Sequence, residues 1–466
     1  MATFSSRLRG AGLSARRVIV LGGGLAGITA ALDCAEAGAR VTLFEVRPRL
    51  GGAAYSFERE GLLLDNGQHV FLRCCTAYRG LLARLGSEQR VMLQPRLEIP
   101  VLSPRHDRTV LRRNGLPAPL HLAGALLSYS HLTLTQRLSA ARAALALGRL
   151  DLGSASGTLG EWLAAHGQDA ASVAALWDLI ALPTLNLPAA EGSLALGAFV
   201  LRTGLLRRND AGDIGFHVRP LSETLGDPAA RVLADAGVGV RLGVRVEAVE
   251  RLRVRAGGEE LEADAVVCAL PHERASALLE PLLGEEASCW SGLGASPIVN
   301  VHIVYDRRVC DLQFAAGVGT PVQYVFDRSE AAGLPFMRPP AGAHHKVHTP
   351  RGAGRRAASD GQYLAISLSG AAREMELSSE QLRGRYVNAM RELFPRAREA
   401  VVRSVHVSRE HAATFAARPG TESLRPGPRT SVAGLVMAGA WTDTGWPATL
   451  EGAVLSGHAA AREVLA

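Results

Sequence analysis

The chain has 466 residues, of which 47% are apolar and 20% charged, and its formal net charge is +7. This composition excludes an intrinsically disordered tail, a small disulfide-stapled domain and a fibrous repeat, and at about 150 residues per domain the length suits roughly two or three domains. The cationic residues are scattered singly or in isolated pairs among acidic ones. Because a nucleic-acid-binding face needs clustered cations, we expect no nucleic-acid partner.

The N-terminal region has the pattern of a dinucleotide-binding βαβ unit. Residues 16–21 form a β-branched run typical of a buried parallel strand, residues 28–37 are alanine-rich and predict a helix, and residues 41–45 predict the next strand. In such units, glycines after the first strand allow a tight turn and the approach of a pyrophosphate, the helix N-terminus attracts the phosphates, and an acid ending the second strand binds ribose hydroxyls. The predicted dinucleotide-binding residues are therefore Gly22, Gly24, Leu25, Ala26, Gly27 and Glu45.

A second glycine pair follows the acid. The run Arg49-Leu50-Gly51-Gly52 favours FAD over a nicotinamide cofactor, because such glycines let the extended flavin half lie close to the backbone and the arginine neutralises phosphate. With this pattern the chain resembles the flavin amine oxidase and phytoene desaturase superfamily, which usually has a further arginine where this chain has Ala53. The resemblance implies an α/β fold, in which a discontinuous Rossmann-like FAD-binding domain of the glutathione-reductase type carries an inserted α+β substrate-binding cap.

The next motif resembles one branch of that superfamily. Residues 65–69 are Asp-Asn-Gly-Gln-His and residues 74–78 are Cys-Cys-Thr-Ala-Tyr, a combination similar to the squalene-associated FAD-dependent desaturases, now understood as hydroxysqualene dehydroxylases. His69 is the candidate catalytic residue, because a histidine facing the flavin would donate or relay a proton there. In the alternative interpretation, His69 only positions its loop by hydrogen bonding.

Two later segments complete the predicted FAD-binding domain. Residues 241–250 and 263–270 predict strands, and the second resembles the segment that returns the chain to this domain. The resemblance implies that the backbone of Val246 contacts the adenine, unless this residue only completes the sheet. Residues 435–443 predict a buried strand that breaks into a polar turn, with Gly439 as a cofactor-binding residue and Asp443 expected to hold ribityl hydroxyls. The helix beginning near Ala448 and Thr449 is expected to face the N1/C2=O edge of the flavin, where reduction places negative charge.

These segments predict a FAD-binding domain over 14–95, 212–285 and 428–466, and a cap over 96–211 and 286–427. The uncharged stretch 114–136 contains prolines and histidines and is too interrupted for a membrane-spanning helix, which needs about 20 mostly apolar residues. Next to it, Leu134, Leu138, Ala141 and Leu145 recur at helical spacing. This stripe suits either a cap helix packed on the core or an amphipathic helix that faces a membrane.

Three functions remain open. The single lysine, Lys346, lies in a predicted loop, which argues against an amine oxidase, since those enzymes typically use a lysine to hold water against the flavin. The resemblance implies reductive dehydroxylation of hydroxysqualene to squalene, a step of squalene and hopanoid biosynthesis. A carotenoid (phytoene-type) desaturase and a non-catalytic prenyl-lipid-binding protein are the alternatives.

The expected partners follow from these interpretations. We expect FAD, a long-chain isoprenoid substrate and an unidentified reductant for FAD. We expect no metal, since the histidines at 344–348 lie in a predicted mobile loop. A thirty-carbon apolar substrate favours a cytoplasmic protein with peripheral contact at the inner membrane face.

Overall fold

The computed structural model describes residues 15–334 and 361–466. The predicted loop that contains Lys346 and the histidines at 344–348 lies outside the described residues. The strands are β1 (Arg17–Leu21), β2 (Arg40–Glu45), β3 (Ser56–Arg59), β4 (Leu62–Asp65), β5 (Val70–Leu72), β6 (Val91–Leu93), β7 (Glu98–Leu102), β8 (Thr109–Arg112), β9 (Ile214–His217), β10 (Gly239–Leu242), β11 (Val246–Glu250), β12 (Arg253–Ala256), β13 (Glu259–Glu262), β14 (Ala265–Cys268), β15 (Ser296–Tyr305), β16 (Phe314–Gly317), β17 (Tyr324–Asp327), β18 (Gln362–Ser369), β19 (Val402–Thr414) and β20 (Leu435–Met437).

The helical segments lie between groups of these strands along the chain. The α-helices are α1 (Leu25–Glu36), α2 (Thr76–Arg84), α3 (Ala123–Leu127), α4 (Leu134–Arg149), α5 (Leu159–Ala165), α6 (Ala170–Ser172), α7 (Asp178–Leu185), α8 (Leu194–Leu201), α9 (Asp227–Asp235), α10 (His272–Leu283), α11 (Glu285–Ser288), α12 (Ala372–Met375), α13 (Ser379–Leu393) and α14 (Leu450–Leu465). Short 3-10 turns span Glu88–Arg90, Leu120–Leu122, Cys289–Leu293, Pro395–Arg398 and Thr421–Leu424, and π-helical turns span Val173–Trp177, Arg202–Leu206 and Ser222–Gly226.

Five strands form a parallel sheet in the order β10-β2-β1-β14-β20. Strand β1 is buried between β2 and β14, as its β-branched sequence predicts. Helices α1 and α14 pack so closely that a Cβ added to Gly457 would come within 2.4 Å of the Ala26 carbonyl oxygen. The predicted βαβ unit is confirmed, although α1 begins at Leu25 rather than at residue 28, because Gly24 is its N-cap.

A second, mixed sheet has seven strands in the order β19-β15-β18-β17-β16-β7-β8. Its neighbouring strands are antiparallel except for β16 and β7, which are parallel. Apolar side chains of β15 and β18 pack against α13 in a core that includes Val301, Ile366 and Tyr386. All strands of this sheet fall within 96–211 and 286–427, and all strands of the parallel sheet fall within 14–95, 212–285 and 428–466. The domain boundaries themselves stay a prediction.

Three smaller sheets connect these two. They have the orders β11-β12-β13, β3-β4 and β5-β9-β6, and the last of them sets β9 against the segment that follows His69. A parallel sheet assembled from distant parts of the chain, together with a mixed sheet and helices, is the α/β fold with an α+β cap that the sequence predicts.

Helix α4 does not pack as a simple core helix. The predicted leucine stripe lies on the surface, with Leu134 61%, Leu138 47% and Leu145 49% exposed. The face that α4 buries consists mainly of alanines, and Leu147 is the large residue on it. The expectation that the leucine stripe packs on the core is therefore wrong, because small residues let this helix approach its neighbours by the opposite face. In the part of the chain that the structure describes, no helix has the length and hydropathy needed to cross a membrane.

Candidate functional site

A cavity of about 1760 Å³ is lined by residues of the parallel sheet, the seven-stranded sheet and the cap helices. Pockets for one small ligand usually measure about 300–1,000 Å³, so this volume admits two molecules side by side. All the predicted site residues line the cavity except Gly27 and Asp443. The chain therefore brings together side chains and backbone from its N-terminal, central and C-terminal segments.

The turn between β1 and α1 forms the first part of a cofactor cradle. Gly22, Gly24, Leu25 and Ala26 line the cavity, and Gly24 caps α1 without a side chain, so the first N–H groups of α1 face the cavity. This helix end carries a partial positive charge that suits a pyrophosphate. Gly27 lies behind the turn, where an added Cβ would come within 1.9 Å of the Gly22 carbonyl oxygen. Its role is the close packing of helix on strand.

Glu45 and the second glycine pair form the opposite side of this cradle. The Glu45 carboxylate lies at the end of β2, where it accepts hydrogen bonds from the backbone N–H groups of Gly23 (2.7 Å) and Arg47 (2.8 Å). Gly52 has a φ of +59°, and a Cβ on it would come within 2.7 Å of the Gly24 Cα. The backbones of the two glycine turns are therefore in direct contact, and a side chain on Gly52 would force them apart.

Arg49 continues this wall toward the middle of the cavity. Its guanidinium lies 3.7 Å from the centroid of the Tyr55 ring and donates to the Gly52 carbonyl oxygen at 3.2 Å. Burial lowers the pKa of Arg49 from its usual value. Ala53 also lines the cavity. It stands where the superfamily usually has a further arginine, so this position carries no charge in this chain.

The C-terminal segment supplies the third part of the cradle. Gly439, Ala448 and Thr449 line the cavity, and the Thr449 hydroxyl caps α14 by accepting a hydrogen bond from the Gly452 N–H at 3.1 Å. The N-terminus of α14 therefore faces the cavity, as the sequence predicts. Val246 lines the cavity from β11, beside a bulge in its pairing with β12. Its predicted contact with adenine stays a prediction.

Asp443 does not line the cavity, and its contact with ribityl hydroxyls stays a prediction. Its side chain is exposed and accepts a hydrogen bond from the Gly445 N–H at 3.1 Å, inside the turn that follows β20. The chain leaves the cavity wall after Trp441, so the carboxylate of Asp443 lies outside the cavity. Ala440 lines the cavity directly after β20.

His69 lines the cavity at the end of the loop that follows β4. Burial lowers its pKa below the ordinary value of 6.5, although the carboxylates of Asp65 and Glu410 act in the opposite direction. The ring is therefore mostly neutral at pH 7. It accepts a proton readily in this state, and it donates one only after it has been protonated.

The backbone around His69 is fixed by buried partners. The Nδ1–H of His217 donates to the carbonyl oxygen of His69 at 2.9 Å, and the Tyr78 hydroxyl donates to the Nε2 of His217 at 2.7 Å. Burial lowers the pKa of His217 to about 3, so this ring is neutral and keeps one tautomer. At the start of the loop, Asp65 forms a buried ion pair with Arg328 at 2.6 Å.

Glu410 is a cavity residue that the sequence reasoning missed. It lies on β19, and its carboxylate accepts hydrogen bonds from the Tyr55 hydroxyl (2.8 Å) and the Asn66 side-chain amide (3.0 Å). Asn66 in turn donates to the Ala53 carbonyl oxygen at 2.9 Å. No spacing along the chain indicates this contact, because Asn66 and Glu410 lie 344 residues apart.

The part of the cavity that the cap encloses is mostly apolar. Most of the side chains that line it are aliphatic or aromatic, and they include Ile99, Leu126, Leu179, Leu205, Phe314 and Phe326. Tyr324 also lines this part, and its hydroxyl donates to the Leu179 carbonyl oxygen at 2.8 Å, so its polar atom is satisfied. Leu120 and Leu145 line the cavity while being 59% and 49% exposed, so the apolar part reaches the molecular surface between α3 and α4.

These residues fit FAD. The N–H groups at the start of α1 suit the phosphates of an extended cofactor, the start of α14 suits its flavin, and Glu45 is available to ribose hydroxyls. The fold and this cradle define a class of protein, the FAD-binding α/β domain with an inserted cap. Residues 25–465 match the flavin containing amine oxidoreductases, and the chain belongs to this family.

Comparison with known proteins gives full-length similarity. The chain is 29% identical to hydroxysqualene dehydroxylase of Rhodopseudomonas palustris over 97% of this chain and 99% of that protein. It is 23% identical to zeta-carotene desaturase of Synechocystis sp. over 97% of each chain. The solved structure of an oxidoreductase from Methanosarcina mazei has the same fold, with a TM-score of 0.69 and 16% identity over 95% of this chain and 99% of that one.

The predicted fold, the FAD cofactor and the similarity to hydroxysqualene dehydroxylases are thereby confirmed. The chain is an FAD-dependent oxidoreductase. The roles of the individual cradle residues and of His69 stay predictions.

Proposed function

We propose that this protein reduces hydroxysqualene, a C30 isoprenoid allylic alcohol, to squalene. The observation that carries the proposal is the cavity itself, whose FAD cradle continues directly into an apolar compartment made by the cap. The full-length similarity to hydroxysqualene dehydroxylase supports the same substrate. Such an activity belongs to squalene and hopanoid biosynthesis.

The reaction exchanges a hydroxyl group for hydrogen. Bound FAD, once reduced by an external reductant, supplies a hydride. The C–O bond breaks with its electron pair on oxygen, the oxygen takes a proton and leaves as water, and the carbon accepts the hydride. Hydroxide is a poor leaving group, so a proton donor at the oxygen lowers the barrier. We assign this donation or relay to His69, which faces the cavity from a loop fixed by His217.

In this proposal the apolar compartment offsets the free-energy cost of taking the substrate out of a bilayer. Removing thirty apolar carbons from a bilayer into water costs on the order of 20 kcal/mol, at about 0.8 kcal/mol per buried CH₂. A protein that takes such a substrate must enclose it while it reacts. Cap residues such as Leu179, Leu205 and Phe314 replace the bilayer, and they exclude water from the reacting carbon.

We also propose a cytoplasmic protein that contacts the inner face of the membrane through the rim of the cavity. Exposed leucines lie in residues 116–127 and on α4, the two segments beside the surface opening of the cavity. They are Leu116, Leu120, Leu127, Leu134, Leu138 and Leu145. Exposed Arg142 and Arg149 lie on the same helix α4 and suit anionic headgroups. Substrate would then pass from the bilayer into the apolar compartment without crossing water.

A carotenoid desaturase is the second candidate, since zeta-carotene desaturase is similar over the same length of chain. The long apolar compartment suits both substrates, and the two reactions differ in the direction of electron flow. The test is anaerobic. Protein with reduced flavin is incubated with hydroxysqualene, and protein with oxidised flavin is incubated with phytoene or zeta-carotene.

Our proposal expects squalene, identified by mass, from the first reaction and no new double bond in the second. The opposite pattern would identify a desaturase. A purified protein without flavin absorbance that cannot be reconstituted with FAD would favour a lipid-binding protein.

A further inference from the structure

Glu410 is the one acid that the seven-stranded sheet presents to the cavity within the described residues. The neighbouring cavity residues of this sheet are apolar or uncharged, such as Ile298 on β15 and Ala412 on β19. A carboxylate at this position contrasts with the compartment beside it, whose side chains are mostly apolar and suit a hydrocarbon. Glu410 is half-buried, and a charge beside apolar surroundings is disfavoured unless polar groups hold it.

The partners of Glu410 are neutral. The Tyr55 hydroxyl and the Asn66 amide hold its carboxylate in place, and no cation forms an ion pair with it in the described parts of the chain. The guanidinium of Arg49 lies on the face of the Tyr55 ring instead. Arg49 attracts the charge of Glu410 only from beyond ion-pair distance, so neutral donors hold this carboxylate, and it lines the cavity.

The two partners of Glu410 come from the cradle side of the cavity and from the loop of His69. Tyr55 follows the Gly51-Gly52 turn of the cradle, and Asn66 belongs to the loop that ends at His69. Through these two partners Glu410 is fixed to both sides of the region where the cradle meets the apolar compartment.

We propose that Glu410 stabilises the positive charge that develops on the allylic carbon as its C–O bond breaks. This inference rests on the dehydroxylation proposed above. When the electron pair of that bond leaves with the oxygen, which departs as water after protonation, the carbon lacks an electron pair until it accepts the hydride. A fixed carboxylate in a water-poor cavity favours this charge more than water does, since it needs no reorganisation.

The test uses a charge comparison rather than turnover alone. A C30 isoprenoid carrying a protonated tertiary amine at the position of the reacting carbon mimics the cation, and squalene is its neutral counterpart. Binding of both to the oxidised holoenzyme is followed by the change in flavin absorbance or fluorescence. We expect the wild-type protein to bind the amine at least tenfold more tightly than squalene.

The informative variant is Glu410→Gln, whose amide oxygen still accepts both hydrogen bonds. We expect it to lose at least tenfold in affinity for the amine and less than twofold for squalene, with unchanged flavin content. Exposed Glu376, which lies outside the cavity wall, gives the matched control Glu376→Gln with wild-type affinities. Equal affinities of wild type and Glu410→Gln for the amine would overturn the inference.

Single-turnover measurements separate the two proposals. If the wild-type protein converts the alcohol to squalene and Glu410→Gln does so at the same rate, the role of Glu410 is wrong while the proposed function stands. If the wild-type protein converts no alcohol, the proposed function is wrong and this inference is overturned with it.

Discussion

At the scale of single residues, the pKa of His69 decides when it can act as an acid. Proton donation needs the protonated ring, and the protonated fraction falls as pH rises through the pKa. Burial holds this pKa below 6.5 against the opposing carboxylates of Asp65 and Glu410, and the charge of Arg328 lowers it further. The neutral ring of His217, which contacts the same loop, contributes no charge at neutral pH.

We therefore predict that kcat/KM for the alcohol increases as pH falls from 7 toward the pKa of His69. His69→Asn should lose this pH dependence and about 10²–10⁴-fold in rate, the usual contribution of a general acid. Rapid-mixing rates with pre-reduced flavin, measured over pH, check both effects. The exposed His166 gives the control variant His166→Asn, and a full rate for His69→Asn would reject the acid role.

Substitutions at two glycines of the cradle should have different effects, one on FAD affinity and the other on stability. At Gly24 an added Cβ would have only the Gly52 Cα at 3.8 Å, so Gly24→Ala should fold normally but place a methyl group in the space for the cofactor. We expect FAD affinity to fall at least tenfold in flavin titrations, with an unchanged Tm of the apoprotein. Gly27→Ala would instead clash with the Gly22 carbonyl oxygen at 1.9 Å, and overpacking of this kind costs about 1–3 kcal/mol of stability.

The exposed Gly384 in α13 is the matched control, since an added Cβ there meets no neighbour within 4 Å. Gly384→Ala should keep FAD affinity and gain about 0.5–1 kcal/mol of stability from helix propensity. Normal FAD affinity in Gly24→Ala would show that the space beside Gly24 is not part of the cofactor site.

Residues fixed by local chain geometry were predictable, and residues placed by distant contacts were not. The glycines and Glu45 follow from one βαβ unit, so their spacing along the chain is sufficient. Asp443 lies outside the cavity wall, because the residue at which the chain leaves that wall depends on how β20 meets the turn after it. Glu410 was missed because its partner Asn66 comes from the other end of the sequence.

At the scale of elements, α4 shows why a leucine stripe is ambiguous. Its periodicity predicts an apolar face, but its buried face consists mainly of alanines, which a hydrophobic pattern ranks below leucine. Which face is buried depends on the neighbours that approach α4, and those come from distant parts of the cap. The exposed face that remains is suited to contact a bilayer.

We predict that replacing two exposed leucines, in the double variant Leu134→Glu/Leu138→Glu, abolishes binding to anionic liposomes. Two charges on this face oppose insertion, whereas the fold should tolerate them because both side chains are already exposed. Co-sedimentation with liposomes measures binding, and Tm measures stability. Val401 is 61% exposed like Leu134 but lies away from the cavity, so Val401→Glu is the control. Unchanged sedimentation of the double variant would count against membrane contact by this helix.

At the scale of the whole molecule, the parallel sheet could be predicted because its strands carry continuous apolar runs. The seven-stranded sheet could not be predicted. Its pairing of β16 with β7 joins segments more than 200 residues apart, and their register depends on the assembled cap. The same long-range assembly creates the contact between Asp65, which ends β4, and Arg328, which follows β17. This ion pair links the loop that carries His69 to the sheet of the cap.

Because both partners are buried, removing one leaves the other charge without compensation. Arg328→Met should therefore lower the free energy of unfolding by about 3–5 kcal/mol. It should also loosen the loop of His69, since Arg328 donates to the His217 carbonyl oxygen as well. Thermal unfolding measures the first effect. The double variant Asp65→Asn/Arg328→Met should lose less stability than the sum of the two single variants, because it removes both charges together.

The exposed pair of Arg253 with Glu262 gives the control Arg253→Met, which should change stability by less than about 1 kcal/mol. Equal Tm values for Arg328→Met and Arg253→Met would mean that the two halves of the molecule do not depend on this contact.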